Sequence, residues 1–327
     1  MKGCMKQRGN AKEMRKIIGL GETVYDIIFR NNQPQKAVPG GSAFNAIVSL
    51  GRCGVPCVMV TEVGDDRVGD IVTAFLHENN VDTQYVYRHK GTQSHVSLAF
   101  LNERNDAEYQ FYKMHEALNM PPCFPEINEG DVIIFGSYFA INPKVRTCVY
   151  ELLRKAHDVG AIIYYDVNFR ASHLKDLPQV LPSIIENMQL ATVVRGSHED
   201  FSLLFNEEVA KDVYEKHIRT YCETFIYTDA DKPVQVFTPL YHTSVDAAKI
   251  ETVSTIGAGD NFNAGFCYAL LCKDIDTQTK LAEVEEPLMK ELVTVGQRFS
   301  SAVCQSFDNY VSSEFGLRER RLNGLCV

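Results

Sequence analysis

Two kinds of apolar spacing alternate along most of this chain. Short continuous runs read as buried strands, and apolar residues recurring at i, i+3 and i+4 read as helices. Residues 16–29 (KIIGLGETVYDIIF) predict a strand, a turn around residues 19–21 and a second short strand. After Gly40 and Gly41, the positions of Phe44, Ile47 and Val48 have helical spacing, with Ser42 as the expected N-cap. Residues 58–63 predict a buried strand, and 68–76 a helix. The stretch that follows differs. In 84–88, 94–101 and 108–112 polar residues recur, and Lys90-Gly91 and Asn105-Asp106 mark turns. This pattern predicts a small antiparallel sheet with one face in water, inserted into the alternation. From Asp131 the alternation returns. Strands are expected at 132–135, 161–165, 191–194, 224–227 and 234–237, and Val145, Val149, Leu152, Leu153 and Ala156 form one helical stripe. Further helices are expected near 178–188, 198–206, 208–220, 258–272 and 285–305.

The expected fold class is therefore α/β, with a mostly parallel central sheet, helices on both of its faces and a small antiparallel β lid. Residues 16–327 are read as this domain, with the lid drawn mainly from 84–113 and part of 22–40. Residues 1–15 are polar and aperiodic and read as a disordered leader.

Composition narrows the function. The 33 Lys+Arg against 42 Asp+Glu leave a net charge of −9. That balance disfavours sequence-independent binding to nucleic acid or to an anionic membrane. No run approaches the ~18 apolar residues of a membrane span, and no signal-like apolar core follows the basic opening, so a cytoplasmic location is expected. The ten cysteines should then be mostly free thiols. Cys53 and Cys57 have no second pair nearby to complete a zinc site.

Two glycine segments carry candidate chemistry. In Ser254-Thr255-Ile256-Gly257-Ala258-Gly259-Asp260, a bare backbone opens a predicted helix. Its free N–H groups and dipole favour an anion there. Asp260 in the first turn is placed to take a proton from a hydroxyl that attacks phosphorus. In Pro39-Gly40-Gly41-Ser42-Ala43-Phe44-Asn45, adjacent glycines allow a ligand close to the backbone, and Asn45 lies one turn further on. Either segment read alone could be an ordinary loop–helix junction. No G-x-x-x-x-G-K-[ST] occurs, and the G-x-G begun at Gly19 ends on Val24, which removes P-loop and NAD readings.

Together the two segments resemble the signatures of the ribokinase-like, phosphofructokinase B-type sugar kinases. Residues 40–54 (GGSAFNAIVSLGRCG) resemble G-G-x-x-x-N-x-A followed by L-G-x-x-G, with Ile47 in the small-residue position. STIGAGD at 254–260 resembles D-T-x-G-A-G-D. Gly21-Glu22 with Asp26, the GDDRVG of 64–69, the DVNFR of 166–170 and the lid strand 109–113 with Ala117 resemble further motifs, closest to the fructokinase and 2-keto-3-deoxygluconate kinase branch. The resemblance covers roughly 16–316. It implies ATP-dependent phosphorylation of a terminal hydroxymethyl group of a small sugar or sugar acid, with Asp260 as base and Gly257, Ala258 and Gly259 as the anion hole. It assigns Asp26, Gly40, Gly41, Asn45, Lys113, Asn168 and Arg170 to the sugar. It assigns Thr228 and Ser197 to the nucleotide, Asp200 to Mg²⁺ accompanying ATP, and the apolar lid face (Val96, Leu98, Phe100) to a homodimer. Ribose or a nucleoside is the alternative substrate.

Three departures fall on the nucleotide side. Ser254 replaces an Asp tied to a monovalent cation, which puts potassium activation in question. The loop Thr228-Asp229-Ala230-Asp231-Lys232-Pro233 lacks both glycines of T-x-G-x-x-G. Ser197-His198-Glu199-Asp200 keeps the carboxylate of N-x-x-E but not its amide. A sugar-binding protein on a kinase fold is the rival reading, and retention of Gly257–Asp260 favours the kinase.

Overall fold

The computed structural model describes residues 15–102, 107–112 and 124–322. The expected leader (apart from Arg15), the Asn105-Asp106 turn, Lys113 and Ala117 lie outside the described residues.

The first buried run becomes β1 (Ile17–Leu20), in the interior of a ten-stranded sheet. Two lid strands follow, β2 (Val24–Arg30) and β3 (Gln33–Gly40). Then α1 (Ser42–Arg52) leads into β4 (Cys57–Gly64), which pairs parallel with β1. On the same side lie α2 (Arg67–Glu78), β5 (Val81–Asp82) and β6 (Val86–His89). The chain returns to the lid as β7 (Val96–Leu101) and β8 (Ala107–Tyr112). It then crosses to the other edge of β1 as β9 (Val132–Gly136). From there β10 (Ile162–Asp166), β11 (Val193–Ser197) and β12 (Thr224–Thr228) extend the parallel sheet outward. Between them run α3 (Arg146–Asp158), α4 (Leu177–Leu190), α5 (His198–Phe205) and α6 (Ala210–Val213). An antiparallel edge of β13 (Val234–Phe237) and β14 (His242–Val245) precedes α7 (Ala258–Cys272), α8 (Gln278–Ala282), α9 (Glu286–Cys304) and α10 (Ser313–Leu322).

The near-continuous apolar strands follow from burial on both faces. Ile17, Met59, Ile134 and Tyr164 pack with Phe44, Phe266 and Phe299 from α1, α7 and α9. Their chain neighbours Ile18, Val60, Phe135 and Tyr165 point the other way and pack with Leu152, Ile184 and Phe201 from α3, α4 and α5. The chain leaves β1 first toward β4 and later toward β9, and in sheets of this kind ligands bind at the carboxyl ends of the strands at such a reversal.

The lid differs from the expectation in its strands. Its order is β3-β2-β7-β8, so half of it comes from 24–40. Two antiparallel pairs flank an inner pair, β2 and β7, that runs parallel. Residues 84–88 contribute instead to β6, beside β4, where buried His89 meets Glu62 at 2.5 Å. The expected helix over 208–220 is a short α6 continued by a π-helical turn, Tyr214–Ile218. Neither β14 nor α10 was expected. The first is a four-residue edge strand in which only Thr243 is buried, and the second carries only Phe315, Gly316 and Glu319 inward. No helix among the described residues is long and apolar enough to cross a membrane.

Candidate active site

The two glycine segments meet. α1 starts directly after β3, and α7 packs against α1. Asn45, buried in the first turn of α1, donates from Nδ2 to Asp260 Oδ2 at 2.7 Å. The Asp260 carboxyl is pushed up to about 6. Burial is the main cause and the charge of Asp166 adds to it, while hydrogen bonds from Asn45 and Ser42 and the charge of Arg170 oppose it. A carboxylate held near that value is mostly ionised at neutral pH and still basic enough to take a proton. Ser42, expected as the N-cap of α1, is instead its first helical residue, and its hydroxyl helps to lower the Asp260 carboxyl's pKa. Gly41 takes the cap position, with φ +131°, where a Cβ would lie 2.4 Å from the Glu22 carbonyl oxygen.

Gly257 caps α7 in the left-handed region, with φ +75°. The Ala258 N–H turns back to the Thr255 carbonyl at 3.2 Å, whereas the N–H groups of Gly259 and Asp260 have no acceptor among the described residues. Orphan donors at a helix N-terminus favour an anion. The N–H groups left open are thus those of Gly259 and Asp260, whereas Ala258 is engaged in the turn.

Asp26, on β2, is 4% exposed and faces the same space. Ser97 on β7 donates to its Oδ1, and Asn309 Nδ2 donates to its Oδ2 at 3.0 Å. Burial chiefly pushes its carboxyl up to about 6, with Asp260 adding to the effect. Each oxygen keeps a lone pair for a ligand hydroxyl. Gly40 must be glycine, because a Cβ would sit 2.3 Å from Asp26 Oδ2. Asn168 adopts φ +38° after β10 and donates to Ser137 Oγ at 2.7 Å. Arg170 is exposed. Its charge reaches both Asp260 and Tyr109, and the Tyr109 phenol, on β8, also senses Asp26 and Asp260. Lid and body thus converge on one cleft, with Lys113 outside the described residues.

The nucleotide side differs from the sequence expectation. Asp200 does not offer a metal a free carboxylate. It is 3% exposed and forms a capping box with Ser197, accepting from the Ser197 N–H at 2.6 Å, the Ser197 Oγ at 2.7 Å and the Phe169 N–H at 2.7 Å. It pins the 167–170 loop to the start of α5, and the Ser197 hydroxyl is committed to the same box. Among the described residues no group of three or more His, Cys, Asp or Glu could hold a metal ion. Ser254 is 2% exposed, and its hydroxyl oxygen accepts the Ile256 N–H at 3.2 Å, so the monovalent-cation position offers a neutral, engaged donor.

Thr228 accepts from Arg195 Nη2 at 2.7 Å. Arg195 was not anticipated. It is 7% exposed, donates from Nη1 to Asp166 at 3.0 and 3.2 Å, and packs against Gly259, where a Cβ would meet Nη1 at 2.9 Å. Asp166 also takes Asn263 Nδ2 at 2.7 Å. Ala230 holds φ +47°, so the turn that glycine would favour persists without it. Ala230→Gly should stabilise the fold by up to ~1 kcal/mol, the left-handed cost for an L-residue partly offset by glycine's greater unfolded-state entropy. Urea midpoints check this, and a lower midpoint in the variant would contradict it.

The model of the pfkB family carbohydrate kinases matches residues 14–314. Probable fructokinase-2 of Arabidopsis thaliana is 26% identical over 274 residues, covering 81% of this chain and 79% of that protein. A fructokinase of Rhizobium leguminosarum bv. trifolii is 25% identical over 283 residues, covering 84% and 85%. Among solved structures, Vibrio cholerae fructokinase, bound to fructose, ADP and calcium ion, superposes with a TM-score of 0.78 at 19% identity and covers 92% of this chain and 96% of that one. Salmonella enterica aminoimidazole riboside kinase gives 0.78 at 18% identity, covering 94% and 100%.

Proposed function

This chain belongs to the pfkB family of carbohydrate kinases, and from that premise we propose that it transfers the γ-phosphoryl group of ATP to a terminal hydroxymethyl group of a fructose-like ketose or a 2-keto-3-deoxy sugar acid. The observation that carries this reading is the 2.7 Å bond from Asn45 to Asp260, which sets a raised-pKa carboxylate between the twin glycines and the anion hole.

The sugar lies against Gly40 and Gly41, and Asp26 accepts from its hydroxyls. Asp260 takes the hydroxymethyl proton as that oxygen bonds to the γ-phosphorus. The bond to the β,γ-bridging oxygen breaks, and ADP leaves. The N–H groups of Gly259 and Asp260 meet the charge on the transferring group. The lid, with Tyr109 toward the cleft, excludes water that would hydrolyse ATP. Arg170 offers a positive charge to an acid substrate's carboxylate. Among the described residues no acidic cluster is placed to hold Mg²⁺, which would accompany the ATP phosphates and offset their charge. Ser254 does not fit a monovalent-cation site.

The outward face of the lid supports a homodimer. Tyr25, Ile27 and Phe29 on β2 share that face with Val96, Leu98 and Phe100 on β7 and with Tyr112, which is 45% exposed. Leu98→Lys should convert a dimer to monomers on size exclusion.

A sugar panel with an ADP-release assay tests the activity. Turnover is expected with fructose or a 2-keto-3-deoxy acid in the presence of Mg-ATP. Failure of every sugar in the panel to stimulate ADP release would remove the kinase reading.

A further inference from the structure

The loop that joins α9 to α10 lies outside both glycine segments, yet it touches each of them. Asn309, in this loop, has no exposed surface. Its Nδ2 donates to Asp26 Oδ2, the carboxylate assigned to the sugar. Its main-chain oxygen accepts from Asn261 Nδ2 at 2.8 Å, and Asn261 Nδ2 also bonds the Gly257 carbonyl at 2.8 Å. Two glycines have no side chain where Asn309 sits. A Cβ on Gly40 would stand 3.0 Å from Asn309 Nδ2, and a Cβ on Gly257 would stand 2.6 Å from its carbonyl oxygen. One residue is thus wedged between the sugar side and the anion hole, with its side chain on one and its backbone on the other.

The loop around it is tied down at both ends. Asp308 pairs with Lys36 on β3, and Arg30 on β2 lies over the Phe307 ring. On the body side the Val311 N–H donates to Ser49 Oγ at 3.1 Å, and Arg52 Nη1 donates to the Val311 carbonyl at 2.7 Å. The segment from Phe307 to Val311 is a strut from the lid to α1. Its middle residue is the one that meets both Asp26 and the start of α7. The Asn309 Oδ1 atom has no partner among the described residues, which is costly for a buried amide and is tolerated where geometry at a site demands it.

We infer that Asn309 is a positioning residue, which registers Asp26, and through it the bound sugar, against the anion hole and Asp260. The inference rests on the proposed kinase reading. Asn309 does not touch the reacting atoms. It acts by fixing one oxygen of Asp26, so its removal should weaken the sugar's grip more than it slows chemistry.

The experiment measures KM for the sugar and kcat in wild type, Asn309→Ala, Asp26→Ala and the double variant, with the sugar that the panel identifies. Asn309→Ala should raise KM about tenfold and change kcat less than threefold. In the Asp26→Ala background the same change should have no further effect on KM, since the group it acts through is gone. A purely structural role predicts equal losses in both backgrounds, and that result overturns the inference. Asn309→Asp keeps the shape and the backbone contact and serves if the alanine variant fails to fold. There a carboxyl faces Asp26 across the same short gap, so KM should recover as pH falls from 8 to 6 and one proton comes to be shared. A pH-independent KM in that variant overturns the inference as well. Wild type that phosphorylates no sugar removes the kinase reading and this inference together. Active wild type with an unaltered Asn309→Ala removes the inference alone.

Discussion

Asp260→Asn is expected to lower kcat by about 10²–10⁴ while leaving sugar binding nearly unchanged. The amide keeps the shape of the carboxylate and its contact with Asn45, so the fold has no reason to respond, but it cannot accept the hydroxyl proton. The pH profile sharpens the test. Both Asp260 and Asp26 are pushed up to about 6 by burial. Each is useful when ionised, so wild-type kcat/KM should fall as pH drops through about 6 and level off above 7. Because Asp260 adds to the shift at Asp26, the acid limb belongs to the pair rather than to one residue. In Asp260→Asn the limb in kcat should vanish, whereas a limb in sugar binding, owed to Asp26, should remain. Turnover equal to wild type in this variant would remove Asp260 as the base, and with it the mechanism.

How much of this was legible in the sequence depends on what kind of physics each residue obeys. Gly40, Gly41, Gly257 and Gly259 were legible because backbone that must pass close to a ligand or to another chain segment excludes a Cβ, and glycine is the residue that meets that need. Asp260 and Asn45 followed from their positions in the first turns of helices that those glycines open. The buried strands were legible because a parallel sheet covered on both sides leaves continuous apolar runs. Two-sided burial does not tell a strand where it will pair. Residues 84–88 looked like lid because they are partly polar, yet they lead into the buried Glu62–His89 contact with β4. Asp200 kept its carboxylate in the sequence pattern, but the pattern could not say that three donors already fill it. Asn309 carried no signal at all. It sits in SFDNYV, without glycine, period or charge run, and its role exists only because the α9–α10 loop passes between two segments more than two hundred residues apart.

Arg195 is the other residue that only the fold reveals, and its removal should have the largest effect on stability. In the sequence it is one charge among 33 Lys and Arg, at the end of an apolar run. In the fold it lies between β10, β12 and α7, and it is the cation that pairs with Asp166, whose own exposure is 2%. Arg195→Ala leaves that carboxylate buried beside the Asn263 amide, with its counter-charge gone. Breaking a buried pair from one side costs ~3–5 kcal/mol, which for a chain of this size is a fall in Tm of roughly 4–7 °C. Removing both charges is a different matter. Arg195→Met with Asp166→Asn leaves no unpaired ion, and the new amide can still bond Asn263, so more than half of the lost stability should return. Arg195→Lys separates stability from catalysis. An ammonium keeps the charge near Asp166 but cannot span Asp166, Thr228 and the back of Gly259 at once, as the planar guanidinium does. Its Tm should fall by less than half as much as that of the alanine variant, while KM for ATP rises severalfold. Calorimetry and ATP titration read the two effects independently. An alanine variant as stable as wild type would mean that water, rather than Arg195, satisfies Asp166 behind Gly259.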